Sequence, residues 1–150
     1  MSYRKPFNFM VIASAIAAGA LVSAPVANAQ PAPRVVGVFQ ALFGSGGYTL
    51  YSNGKLNAQL GAPFYGDARK SGLNNFTAMA QSLGGYWLIN SAGRFFQYGD
   101  PCFFGKVTAP KGVTGPIIGA IGFGANDRGQ GFQAVNAAGK LFRFGCSFPS

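Results

Sequence analysis

The sequence predicts an all-β protein made of three small, blade-like antiparallel units, and three observations carry that expectation. There are 23 Gly among 150 residues, and 15% of the chain is aromatic, too turn-rich for a helical bundle and too apolar for a disordered basic tail. Short apolar runs alternate with Gly and Asn punctuation instead of recurring at helical spacing. Beyond residue 30 the chain also aligns with itself.

The first 29 residues read as a cleavable signal peptide helix. A basic start (Arg4, Lys5) precedes an apolar run from Phe9 to Ala24, and Ala27-Asn28-Ala29 forms a small-residue cleavage site before Gln30. The run from Met10 to Ala24 is 15 residues, Ala-rich and stopped by Pro25, whereas a membrane span needs about 20. Export to the periplasm, cell surface or medium is expected, with no membrane span after cleavage. The remaining domain, 30–150, has 121 residues with ten basic side chains, three acidic ones and neither His nor Glu.

The units are expected at about 34–66, 76–105 and 117–148. Residues Gly85-Tyr86-Trp87-Leu88-Ile89-Asn90-Ser91-Ala92-Gly93-Arg94-Phe95-Phe96-Gln97-Tyr98-Gly99 align without a gap to Gly131-Phe132-Gln133-Ala134-Val135-Asn136-Ala137-Ala138-Gly139-Lys140-Leu141-Phe142-Arg143-Phe144-Gly145, with six identities. A looser copy starts at Gly47-Tyr48 and is expected to lose one turn residue at Asn53-Gly54-Lys55. Each unit has an apolar lead-in: Val35–Phe39, Phe76–Ala80 and Ile117–Ile121. The connectors, Asp67 to Asn75 and Lys106 to Pro116, read as exposed loops. Runs such as Tyr86-Trp87-Leu88-Ile89 put large groups on both faces of a strand, so the sheet that contains them must be sandwiched.

Gly85 to Asp100 resembles the tandem G-Y-W-L-V-x-S-D-G-G-V-F-x-F-G-D-A-x-F-Y-G repeat of secreted bacterial β-propeller-like proteins, and Pro63-Phe64-Tyr65-Gly66-Asp67 is similar to the end of that motif. The resemblance implies a propeller-type blade and an extracellular setting, and it implies no catalytic residues. Three units fall short of the four to eight blades of an ordinary ring, so a second copy of the chain completing a ring is one expectation and a β-trefoil is the alternative.

Composition excludes most enzyme chemistry. Without His, a Ser or Cys triad lacks its usual base. Ser52-Asn53-Gly54-Lys55 matches Ser-x-x-Lys only across a predicted turn, and Asp67, Asp100 and Asp127 sit where turns need Asp. The protein is therefore expected to be no enzyme and to carry no metal or cofactor. Cys102 and Cys146 are expected to pair, closing a loop of 45 residues worth about 3–4 kcal/mol. The expected function is non-catalytic binding or structural service in the envelope or extracellular space. Lys55, Arg94 and Lys140 recur just after the turn glycine of each unit, which points to an anionic polysaccharide or other envelope polyanion; nucleic acid is not expected as a specific ligand. A lectin using aromatic platforms (Trp87, with Tyr48, Tyr86 and Phe132) is the alternative, and a small outer-membrane barrel ranks below it.

Overall fold

The computed structural model describes residues 30–42, 44–102, 106–123 and 130–147. The expected leader and Asp127 lie outside the described residues. No α-helix occurs among those described; there are ten strands and one 3-10 turn, Arg69–Ser71.

The strands form three antiparallel sheets. Sheet A contains β1 (Val35–Gln40), β2 (Gly47–Tyr51) and β3 (Leu56–Gln59). Sheet B contains β4 (Phe76–Ser82), β5 (Gly85–Asn90) and β6 (Phe95–Gly99). Sheet C contains β8 (Ile117–Phe123), β9 (Gly131–Asn136) and β10 (Leu141–Ser147), with β7 (Lys106–Thr108) added beyond β10. The segment around Lys106, expected as loop, thus begins with a strand, because the free edge of β10 supplies the pairing partner that its own short sequence does not announce.

The three sheets share a register. In each, the first strand pairs its first residue, bulges at the second and resumes at the third: Val35 opposite Tyr51 then Gly37 opposite Leu50, Phe76 opposite Asn90 then Ala78 opposite Ile89, Ile117 opposite Asn136 then Gly119 opposite Val135. The turn between the second and third strands also closes alike. Tyr51, Asn90 and Asn136 donate their amides to the carbonyls of Lys55, Arg94 and Lys140, and Gly54, Gly93 and Gly139 donate back to Tyr51, Asn90 and Asn136. All three glycines have φ near +80°, a conformation that a side chain would strain.

This register corrects the first-unit alignment. The turn from Tyr51 to Lys55 is full length, and the missing residue belongs to β2, which has five residues where β5 and β9 have six. Tyr48, opposite Phe39, therefore occupies the position of Trp87, opposite Ala80, and of Gln133, opposite Ile121. Gly47 takes the place of Tyr86 and Phe132.

Two cores separate the sheets. Alternate residues of β5 go to opposite sides: Tyr86 and Leu88 join Tyr48, Leu50, Leu56, Phe76 and Met79 between A and B, while Trp87 and Ile89 join Ala78, Ile117, Phe132, Phe142 and Phe144 between B and C. Every residue of β5 is buried, as expected for a sheet covered on both faces. The close approach is visible at Gly122, where a Cβ would overlap the Gln81 carbonyl oxygen, so β8 lies against β4 only because position 122 has no side chain. Cys102 and Cys146 are disulfide-bonded, with Cα atoms 5.6 Å apart, tying the end of sheet B to β10.

Backbone bonds also cross the seams. Ser52 donates to the Arg34 carbonyl at 2.8 Å and its own carbonyl accepts from Phe76 at 3.0 Å; Ser91 donates to Asn75 at 2.9 Å and accepts from Ile117 at 2.8 Å. Each turn thereby holds the start of its own first strand and the start of the next.

Candidate functional site

These seam bonds bring the three turns to one end of the stack, and that end carries the cations singled out in the sequence. Asn90 Oδ1 accepts the Arg94 amide at 2.9 Å, Asn136 Oδ1 accepts that of Lys140 at 2.8 Å, and in sheet A Asn53 Oδ1 accepts that of Lys55 at 3.1 Å. An Asx acceptor fixes the backbone from which each cation springs. The side chains then lie over aromatic rings: Lys55 Nζ is 5.3 Å from the Tyr51 centroid, the Arg94 guanidinium carbon is 5.0 Å from Phe96, and Lys140 Nζ is 5.1 Å from Phe142. Such contacts hold a cation at about 0.5–1 kcal/mol while leaving it in water. Arg94 and Lys140 are exposed and Lys55 is half-buried. The three sites share the turn and a cation over a ring; B and C also share acceptor and ring position, whereas sheet A uses Asn53 inside the turn and Tyr51 on β2.

The aromatic candidates fare differently. Trp87 is 0% exposed, Phe132 is 0%, Tyr86 1% and Tyr48 3%, so none offers a ring face to a sugar. Trp87 lies 5.1 Å from Phe132 in the B–C core and is removed from the binding candidates. The physical reason is that sheet B is covered on both sides. Its position falls on the B–C seam, and the equivalent Tyr48 falls on the A–B seam.

A second place escaped the sequence reading. Phe64, Tyr65, Gly66, Asp67, Arg69, Lys70 and Tyr98 line an open cleft of about 620 Å³. Phe64 is 54% exposed. The segment is built from below: Tyr48 Oη donates to the Pro63 carbonyl at 2.8 Å, and Tyr86 Oη accepts the Tyr65 amide at 3.0 Å and donates to the Gly66 carbonyl at 2.6 Å. Asp67 holds Arg69 through a 2.8 Å ion pair. Burial pushes the Tyr86 phenol up to about 12, with the neighbouring Tyr48 and Asp67 adding to the rise; burial also raises Tyr98, with Asp67 contributing. The available signal was Pro63-Phe64-Tyr65-Gly66-Asp67 itself, two aromatics in a Pro- and Gly-bounded turn.

No helix among the described residues is long and apolar enough to cross a membrane. No family model, no curated protein and no solved structure matches the chain.

Proposed function

We propose that this is an exported, non-catalytic binding protein of the envelope or extracellular space, whose three sheets are copies of one blade-like unit and whose turn end grips a polyanion such as an anionic polysaccharide. The observation that carries the reading is the threefold recurrence of a cation over a ring, at Lys55, Arg94 and Lys140, all just after the turn glycine. A cation anchored at its stem loses little freedom on meeting an anion, and a row of them binds a repeating polyanion by avidity. The disulfide fits an oxidising compartment. Shared bulges and turns support duplication, and sheets stacked face to face support blades over a β-trefoil, which would close a barrel. Strands of three to seven residues in separate sheets favour this reading over a membrane barrel, whose strands need about 9–11.

The test is retention on immobilised heparin and on polyuronate at low and high salt. Wild type is expected to bind and to elute with salt, and Lys55→Ala/Arg94→Ala/Lys140→Ala is expected to flow through while remaining folded. Retention of the triple variant would defeat the proposal. The cleft at Phe64 and Tyr65 favours a second reading, a saccharide stacked on exposed rings beside Arg69 and Lys70. Binding of this kind persists in high salt and disappears with Phe64→Ala/Tyr65→Ala.

A further inference from the structure

The seam pattern has two loose ends. At each seam a turn carbonyl receives the amide that opens the next sheet: Ser52 takes Phe76, and Ser91 takes Ile117. By position the third carbonyl is that of Ala137, whose amide already donates to Pro116 at 2.9 Å. The amide that opens sheet A is that of Val35. Among the described residues neither the Ala137 carbonyl nor the Val35 amide has a backbone partner across a seam.

The side chains at the two ends match in the same way. On the outer face of sheet C, Ile118, Ile121, Val135 and Leu141 occupy the positions that in sheet A are Val36, Phe39, Leu50 and Leu56, all packed into the A–B core. Ile121 is nevertheless 68% exposed, and Ile118 and Leu141 are exposed too. On the outer face of sheet A, Val35 and Val38 occupy the positions of Phe76 and Met79 in B and of Ile117 and Ala120 in C, all of which pack in cores. Val38 is 75% exposed. Farther along sheet A the equivalents of buried Leu88 and of half-buried Phe96 and Tyr98 are Thr49, Asn57 and Gln59; on sheet C, Gln133 and Arg143 lie beyond Ile121. Sheet A therefore has apolar residues on its first strand and polar ones outward, and sheet C has them on its first strand and, near the turn, at Val135 and Leu141, with polar ones beyond, the layout of an interface with a dry centre and a wet rim.

We propose that two copies of this chain close a ring of six sheets, sheet C of each seating on sheet A of the other, with Ile118 and Ile121 against Val35 and Val38 and the Val35 amide donating to the partner's Ala137 carbonyl. The inference rests on the blade reading above. Six is the only multiple of three within the range of about four to eight blades that closes such rings. The contact is heterologous, and two such contacts satisfy both ends of both chains.

The variants are Val38→Lys and Ile121→Glu, both at exposed positions that leave the monomer fold intact, as far-UV circular dichroism would verify. By light scattering on a sizing column the wild-type protein is expected at twice the chain mass. Each variant alone is expected at the single-chain mass, since each spoils both seams of its own dimer. Mixed one to one they are expected to return to twice the mass, because the Lys of one then faces the Glu of the other and the remaining seam is wild type. A wild-type monomer, an open concentration-dependent ladder, or loss of the dimer in Ile121→Glu but not Val38→Lys would each overturn the ring. Such a failure would leave the polyanion reading standing, since heparin retention tests that reading separately.

Discussion

The A–B and B–C seams have the same geometry and opposite chemistry. Between A and B three tyrosines, Tyr48, Tyr86 and Tyr98, pack among Phe76, Phe96, Met79 and leucines, and the hydroxyls of the first two bond the Pro63–Gly66 segment. Between B and C they are Trp87, Phe95, Phe132 and Phe144; Phe132 and Phe144 stack at 4.4 Å, and a disulfide sits beside them. One seam thus depends on neutral, hydrogen-bonded phenols and the other on dry packing and a covalent tie. A shared backbone pattern fixes where sheets meet, and the side chains decide which stress parts them.

The largest effect is expected in the dry seam. Phe132→Ala removes the ring that touches Trp87, Phe95 and Phe144 and should cost about 3–5 kcal/mol in urea unfolding. Next comes Cys102→Ser/Cys146→Ser, expected to lose about 3–4 kcal/mol by freeing the 45-residue loop, with faster amide exchange in β10 than in β2. The tyrosine seam should answer to alkali instead. Below about pH 10 the phenol of Tyr86 is neutral both folded and unfolded. Above it the unfolded chain ionises while the folded one, held at about 12 by burial, does not. Its stability is therefore intact below pH 10 and lost as pH rises through 12, by about 2–3 kcal/mol in all. Urea melts at stepped pH would show this fall, and β2 amides should open before β9 amides. The smallest effect sharpens the assignment: Tyr86→Phe should cost about 1–3 kcal/mol at neutral pH by orphaning the Tyr65 amide and Gly66 carbonyl, and should flatten much of the alkaline fall. An unchanged alkaline fall in that variant would move the effect away from this seam.

Much of this architecture was legible in the sequence because turns are written locally. Glycine and asparagine at Asn53 and Gly54, Asn90 and Gly93, and Asn136 and Gly139 mark the hairpins, and the lead-ins at Val35, Phe76 and Ile117 start first strands as expected. Which way a side chain faces was less legible. A single missing residue in β2 moves Tyr48 from the place of Tyr86 to that of Trp87, and with period two a slip of one exchanges the faces. Trp87 was a candidate platform, yet it lies on an inner face of the stack while its counterpart Gln133 lies on an outer one. The strand at Lys106–Thr108 exists only through β10, and the Phe64–Tyr98 cleft only through tyrosines far away in sequence, so neither is written in its own residues.

The carbonyls of Ser52 and Ser91 also impose an order of assembly. Sheets B and C each open on an acceptor displayed by the turn before them, so a chain synthesised from its N-terminus lays down both seats before the strands that will occupy them. Cys102 is made with sheet B, but its partner Cys146 arrives only with the final strand. Oxidation therefore waits for the final strand, and a copy cut short before residue 146 carries an unpaired thiol that marks it as unfinished.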